Sequence, residues 1–548
     1  MRNMVGNISR SPKNLFLALT VIVLVTGGAL WAIGASVQRA YWLDDLIMLD
    51  GAWRVLQGYR PHLDFHTTLG PLTFIMIAGG MKLVGPCVSA IACTNSILFA
   101  VISFWAWGLS RPRMSALSSF LSALCAGLTV AGTSCFGYGY LNIPYTGYAA
   151  LYNRYGEAFT ALVLIEALWP LRQPGPGWRA SLGGFSTGAA LALLFFLKIN
   201  FFGVALLGIL TGAILVPFER GRWIGLVTGL LLTSAIMLTY LRFDVLAIGN
   251  DLSMAVLARL GREGSQWPRI LHALNFTLVQ VYLLICLWWL APIPARASRT
   301  WLNPKAEQAL LVGYVLAAQL LLLWSNGQIF SSTLFAWGAL LLLDRGDVSP
   351  GTGKSSGQAV TVTSSSRWPA WLIAAVPIGL VIFANITSIA LSTGLRLTTF
   401  RRTTVEQKFA SPSMSDLLGV APSEVAAVNE GFELVRRWTG PRDRVLALQY
   451  VNPFSFGLLR PSPTGDSVWW DEHATYSPSH HPDPGKVFSN VDAVVVPVKD
   501  ADAGDTARLI KIYGEELLRY FKRTAESEHW ILYRRAQAST NGYPPTLN

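Results

Sequence analysis

Apolar runs of roughly twenty residues recur throughout the first 391 residues, and that is the length a helix needs to cross a bilayer. They fall at about 15–36, 88–109, 114–132, 154–170, 182–197, 201–217, 223–241, 273–292, 306–325, 328–344 and 369–391. Hydrocarbon offers the backbone no hydrogen-bond partner, so each run has to close its own bonds as a helix. Charged residues make up only 14% of the chain and hydrophobic ones 52%, whereas soluble domains carry roughly 25% charged residues. The expected fold class is a polytopic α-helical membrane protein of about eleven spans, and a soluble globular fold is excluded.

A net charge of +12 would suggest a nucleic-acid partner in a soluble chain. Here the cations follow the spans. With the N-terminus inside, the cytoplasmic set is Arg2, Arg10 and Lys13; Arg111 and Arg113; Arg172 and Arg179; Arg220 and Arg222. It continues with Arg296, Arg299 and Lys305, then Arg345, Lys354 and Arg367. Every short loop on that side is basic, the positive-inside pattern, and no nucleic acid is expected. The outer face then receives 37–87, 133–153, 198–200, 242–272 and everything after 391. If the apolar stretch 71–85 also crossed, every later loop would invert, so it is read as a shorter re-entrant or surface helix. The first run exceeds a signal-peptide core of about 7–15 residues and is read as a retained helix.

Residues 1–391 are thus expected to form a transmembrane domain with 37–87 as its first outer loop. The stretch "GDVSPGTGKSSGQAVTVTSSSR" (346–367) reads as a flexible cytoplasmic linker. Its "GTGKSS" lacks the leading glycine of a phosphate-binding loop, since position 348 is Val348, and no apolar strand precedes it. Beyond 391 the composition becomes that of a soluble domain. "RVLALQY" (444–450) and "VDAVVVPV" (491–498) read as buried strands, and "HWILYRR" (529–535) as an edge strand. Residues 422–438 and 503–523 have helical periodicity, with Ser423 or Asp505 as caps. Residues 392–548 are therefore expected to form a small α/β domain outside the membrane. The five cysteines lie in or beside apolar segments without metal-ligand spacing, and no structural disulfide is expected.

The chemistry concentrates in "YWLDDLIMLDGAWRVLQGYRPHLDFHTTLGPL" (41–72), which packs four aspartates, two histidines and two arginines directly after the first span. Asp44 and Asp45 are adjacent, so on a helix they point about 100° apart and cannot both face one reacting atom. One is suited to act as a base while its neighbour positions it or the substrate. Further on, Asp64 and His66 stand within reach of one another before the Gly70–Pro71 turn. Ionisable residues against a membrane are costly unless they are used. Outer-face cations accompany them. Arg154 follows Tyr152 and Asn153 at the start of the fourth span, Lys198 sits between the fifth and sixth, and Arg259, Arg262 and Arg269 lie in the 242–272 segment. Each also has a plainer role as a snorkelling or headgroup-binding residue. His473, His480 and His481 are open to metal or sugar contacts or to a solvated loop. No metal-ligand set stands out, and a divalent metal is left open as the only cofactor.

An acidic pair after helix one, followed by "GAWRVLQGYRPHLDFHTTLGPL", resembles the first outer loop of GT-C glycosyltransferases, the superfamily of protein O-mannosyltransferases and lipid A aminoarabinose transferases. The likeness covers the topology of the membrane half and the motif at 41–72. It departs at the pair itself, Asp44–Asp45 where the family usually has Asp-Glu. The resemblance implies a multi-pass protein of the bacterial inner membrane, active on its periplasmic face in cell-envelope glycan or lipopolysaccharide synthesis. Its partners would be a polyprenyl-phosphate sugar donor, a glycan or glycolipid acceptor, and membrane lipids. Asp44 or Asp45 would take the acceptor proton, and Tyr152, Asn153, Arg154, Lys198, Arg259, Arg262 and Arg269, with Asp64 and His66, would bind substrate. Two rivals are a lipid-linked polysaccharide polymerase or ligase and a lipid-linked sugar transporter. The acid pair directly after span one stands against the first. Charges at span ends, with no paired repeat, stand against the second.

Overall fold

The computed structural model describes residues 11–34, 42–136, 145–148, 150–172, 177–215, 218–260, 267–290, 303–326, 332–344, 368–402, 408–472, 474–498 and 505–536. In chain order the helices are α1 (Pro12–Ile33), α2 (Trp42–Leu56), α3 (Pro71–Val84), α4 (Ser89–Ser110), α5 (Ala116–Ala131) and α6 (Leu151–Leu168). Then come α7 (Gly177–Phe195), α8 (Ile199–Leu215), α9 (Arg220–Tyr240), α10 (Val245–Leu260), α11 (Trp267–Leu290) and α12 (Pro304–Asn326). The last six are α13 (Ser332–Asp344), α14 (Trp368–Arg402), α15 (Pro422–Trp438), α16 (Phe454–Gly457), α17 (Pro484–Phe488) and α18 (Asp505–Tyr520). Each of the eleven expected spans is a helix. Five are long and apolar enough to cross a membrane by length and composition: α1, α4, α9, and stretches of α12 and α14. Several others, among them α5 and α8, are apolar but shorter, as is α3 with 14 residues. The protein is a polytopic α-helical membrane protein with a C-terminal α/β domain.

The chain forms two compact units, one from residues 1–34, 92–240 and 264–395, the other from 35–91, 241–263 and 396–548. In the first unit, α7 and α9 lie backbone to backbone. A methyl group on Gly184 or Gly188 would overlap the Arg222 or Leu226 carbonyl, and one on Gly225 or Gly229 would overlap the Ser181 or Phe185 carbonyl. Small residues spaced by four allow this approach, which in lipid replaces the hydrophobic drive between helices. The opposite side of α9 presents Ile224, Val227, Leu231 and Ile236 outward, as a lipid-facing stripe should.

Polar side chains in this unit tie helix ends together in two groups. Glu166, fully buried near the end of α6, takes hydrogen bonds from Arg113 (3.0 Å) and Thr187 (2.9 Å) and pairs with Arg222 Nε (2.8 Å). Arg172 Nε donates to the Arg113 carbonyl nearby. At the start of α6, Arg154 donates to the Thr133 carbonyl (2.8 Å) and to Asn385 Oδ1 (3.0 Å), and the Thr133 N–H donates to Ser388 Oγ (3.1 Å). The first group joins ends that the charge alternation assigns to the cytoplasm; the second joins ends it assigns outside.

Two short strands of the first unit, β1 (Ser134–Phe136) and β2 (Tyr145–Gly147), pair antiparallel; in the second unit, four strands, β3 (Val445–Ala447), β4 (Ala493–Pro497), β5 (Phe521–Glu526) and β6 (Trp530–Arg535), form a sheet ordered β3-β4-β6-β5. β3 and β4 run parallel, and β6 is antiparallel to both its neighbours. The sequence-based reading of β6 as an edge is corrected, because β5 covers it. Residues 521–523 continued the helical periodicity, but α18 stops at Tyr520 and the chain enters a hairpin with Phe521 buried. Ser423 does not cap α15, whose N-cap is Ala421 followed by Pro422. The core under the sheet joins Leu446, Val494, Val496, Leu509, Tyr513, Leu517 and Trp470. Helices α2, α3 and α10 belong to this same unit.

The pairing of like helix ends predicts that the 346–367 linker and the C-terminal domain label from opposite sides. Cysteines introduced at Ser365 and at exposed Lys511 test this with a membrane-impermeant thiol reagent on intact cells. Lys511 is expected to label and Ser365 to stay protected; labelling of both from one side would refute the alternation.

Candidate active site

Helix α2 opens at Trp42, so both acids of the pair fall in its first turn, where the N-terminal dipole favours negative charge. Their 100° offset gives them different surroundings. Asp45 is fully buried, while Asp44 is half-buried. Burial pushes the Asp44 carboxyl up to about 6; the nearby Asp471 charge adds to the rise, and a hydrogen bond with Tyr450 opposes it. A carboxylate near that value is strongly basic for an aspartate yet ionised at neutral pH.

The other end of α2 is clamped to the C-terminal segment. Arg54, wholly buried, donates through Nη1 and Nη2 to the two oxygens of Asp466 (2.6 and 2.9 Å) and through Nε to Asp50 (2.8 Å). Its guanidinium lies 5.2 Å from the Phe65 ring centre. Burial alone would lower its affinity for the proton, but Asp466 and Asp50 outweigh it and hold the group charged. Trp53 Nε1 and Gln57 Nε2 both donate to the Arg460 carbonyl (2.9 and 2.8 Å). At the start of the helix, Trp42 Nε1 reaches Glu424 (2.8 Å).

The 58–70 loop then runs along the 464–468 segment. Gly465 N–H donates to the Asp64 carbonyl (2.7 Å), His66 N–H to the Asp466 carbonyl (2.8 Å), and Val468 N–H to the His66 carbonyl (3.1 Å). The Asp64 side chain accepts from the Arg60 N–H (2.6 Å), closing its own turn. The sequence set Asp64 and His66 side by side as one pair; in the structure their side chains do separate work. His66 Nδ1 lies 2.6 Å from Asp251 Oδ1, and His62 Nδ1 lies 2.8 Å from Asp251 Oδ2, which also accepts from the Thr67 N–H (3.1 Å). Burial would raise the Asp251 carboxyl, but the hydrogen bonds from His62 and His66 outweigh it and hold it below its ordinary value. An ionised Asp251 can only accept, so both imidazoles carry a proton on Nδ1.

Residues that the sequence did not single out therefore shape this unit, among them Asp251 on α10, Arg54, Asp466, Tyr450 and Asp471. Asp251 left a signal, a lone acid in "VLAIGNDLSMAV" on a helix too short to span. Of the expected cations, Lys198 Nζ donates to Asn153 Oδ1 (3.0 Å) and stands 4.4 Å from the Tyr152 ring centre, so three candidates meet in the first unit. Arg154, beside them in sequence, spends hydrogen bonds on protein oxygens. Arg259 is exposed near the end of α10. Arg262, the Arg269 side chain and His473 lie outside the described residues. His480 Nδ1 meets Ser479, and His481 Nδ1 meets the Pro482 carbonyl. Among the described residues one group could hold a metal, Glu430 with Glu528 and His529, remote in sequence from the acid pair. Among the described residues, Cys87, Cys93, Cys125 and Cys286 are in no disulfide.

Replacing Arg54 strands two buried carboxylates. Removing one partner of a buried ion pair costs about 3–5 kcal/mol. Arg54→Met is expected to lower the thermal midpoint of the detergent-solubilised protein sharply. Arg54→Lys should recover little, since a point charge cannot reproduce the two-pronged contact. A melt of Arg54→Met matching the wild type would remove this clamp from the account.

No family model matches the chain, and no curated protein matches it. Among solved structures it is similar to ArnT from Cupriavidus metallidurans in the apo state, at 13% identity and a TM-score of 0.47, over 94% of this chain and 97% of that one. For ArnT from the same organism bound to undecaprenyl phosphate the values are 11%, 0.48, 97% and 99%. The arabinofuranosyltransferase AftD from Mycobacteria is similar at 14% identity and a TM-score of 0.44, over 96% of this chain and 40% of that one.

Proposed function

We propose that this protein is a membrane glycosyltransferase of the GT-C type. It moves a sugar from a polyprenyl-phosphate donor to an acceptor hydroxyl on the outer face of the membrane. The observation that carries the reading is Asp44, a half-buried carboxylate raised to about 6, opening a helix directly after the first span. Further support comes from the make-up of its unit, because 35–91, 241–263 and 396–548 are, within a few residues, segments that the charge alternation assigns to the outside.

The reaction is a single displacement. The acceptor oxygen bonds to the sugar C1 as the bond from C1 to the phosphate oxygen breaks, and the hydroxyl proton passes to Asp44. A sugar hydroxyl attacks poorly unaided, so a base within hydrogen-bond reach lowers the barrier. The bond-breaking electrons leave on the lipid phosphate, whose growing charge fixed cations stabilise. Asp45 lies buried beside Asp44.

Asp44→Asn keeps the shape and removes the basicity, and is expected to cut transfer by about 10²–10⁴-fold while the protein still folds. The pH profile gives a finer test. Asp44 works ionised, so wild-type transfer should fall as pH drops below about 6, where the carboxylate takes up a proton. Removing the neighbouring charge with Asp471→Asn should move that limb to lower pH. Tyr450→Phe, which deletes the hydrogen bond that favours the ionised form, should move it higher. Full activity in Asp44→Asn, or a limb unmoved by both neighbours, would end the assignment.

A further inference from the structure

We propose that the first unit binds the phosphate of an anionic phospholipid where α6 ends and α7 and α9 begin, with Arg222 as the hydrogen-bond donor and Arg179 and Arg220 at the rim. The site lies at the end that the charge alternation assigns to the cytoplasm, and it stands independently of the transferase reading.

Glu166 is fully buried, and among the described residues it is the one carboxylate paired with Arg113 and with Arg222. The two arginines are themselves only 5% and 7% exposed. A guanidinium stays protonated at neutral pH, so the trio carries a surplus positive charge. A buried charge without a counter-charge is costly. Arg113 registers the surplus: burial lowers its affinity for the proton, Glu166 opposes the fall, and the Arg222 charge adds to it. Arg222 also keeps a donor available. Its Nε lies 2.8 Å from Glu166 Oε1, and its Nη2 donates to Glu166 Oε2 (3.0 Å) and to the Glu166 carbonyl. Its Nη1 makes no hydrogen bond to the described residues and, unlike Nε, is not sealed from outside. With one edge of the planar head held by Glu166, the remaining Nη1 suits a phosphate oxygen.

The helix starts make a second, separate case for an anion. Gly184 of α7 abuts Arg222 of α9, and Gly188 abuts Leu226, so the two helices run side by side in one direction. Their N-termini, the positive ends of both dipoles, therefore lie together. Neither helix has an acid in its first turn. Arg179, Arg220 and Arg222 stand there instead, against the dipoles. Glu219, just before α9, is exposed and pairs with none of them. The positive-inside pattern accounts for arginines on this side, but not for two of them on one buried carboxylate. An anion seated between the helix starts answers both features. The surroundings favour a lipid over a soluble ion. Trp178 and Trp223 are exposed at the same starts, as rings at a membrane–water boundary are, and the lipid-facing stripe of α9 begins at Ile224. The Arg179 guanidinium lies 5.6 Å from the Trp178 ring centre, at that same level.

The test is binding of a fluorescent phosphatidylglycerol to the full chain in detergent micelles, with zwitterionic phosphatidylcholine as the reference lipid and the ionic strength held fixed. The wild type should prefer phosphatidylglycerol by about tenfold or more, the worth of a charge-assisted hydrogen bond. The double variant Arg179→Gln/Arg220→Gln changes two exposed side chains that form no ion pair among the described residues, so its fold and thermal midpoint should hold. It should lose about tenfold in affinity for phosphatidylglycerol, with phosphatidylcholine binding unchanged. Arg222→Lys keeps a charge beside Glu166 without the second edge of the guanidinium, and should weaken phosphatidylglycerol binding about tenfold. Inorganic phosphate serves as a competitor: failure to displace the lipid supports the lipid headgroup, and displacement identifies a free phosphate and overturns the lipid assignment. No preference in the wild type overturns the site. So does a preference that either variant retains in full, which would move the lipid elsewhere on the protein.

Discussion

Arg54 is the residue on which the second unit turns. It stands at the end of α2, fully buried, and its planar head satisfies Asp466 twice and Asp50 once. A contact between positions 412 residues apart fixes α2 against the C-terminal domain within one compact body. Everything of chemical interest in that body depends on this register. Asp44 lies about three turns N-terminal to Arg54 on the same helix, and Tyr450 and Asp471 approach it from the C-terminal domain. His66 takes its backbone partner from Asp466 itself. A buried ion pair contributes little net stability against a hydrophobic pair of the same volume, so its use here is to specify one arrangement of the loop.

The two aspartates show how burial assigns different work to like side chains. Adjacent on one helical turn, they differ by 100° in direction, and that offset puts Asp45 inside and leaves Asp44 half-open. Desolvation and a like charge make Asp44 a better base, and Tyr450 limits how far it moves. Asp251 shows the reverse balance, where two imidazoles overcome the penalty of burial and keep the carboxylate ionised. One unit thus holds a carboxylate tuned upward and another held down.

Much of the fold was legible because a membrane writes a strong, local signal. Twenty apolar residues and basic loops identify the helices one at a time, without knowledge of their neighbours, and all eleven are helices. The glycine contact between α7 and α9 is a spacing of four on each helix, visible as a pattern but unassignable to a partner. In the C-terminal domain, β5 was lost because "FKR" continues the amphipathic period of α18, and only pairing with β6 decides otherwise. At the candidate site the acid pair stood out from a greasy background. Asp251, Tyr450 and Asp471 did not, because their meaning lies in contacts across 184 to 427 positions that no local window holds. The partner of the His66 side chain was hidden for the same reason, since Asp251 lies on another helix.

The central claim is a single displacement at a sugar carbon, with Asp44 taking the proton and a lipid phosphate leaving. Its most direct test is the anomeric configuration of the product, read by NMR after the purified protein in nanodiscs transfers sugar from a polyprenyl-phosphate donor of known configuration. One displacement predicts inversion at C1, with one carrier phosphate released for each bond formed. Retention of configuration would require a covalent intermediate and a second nucleophile, and would contradict the account.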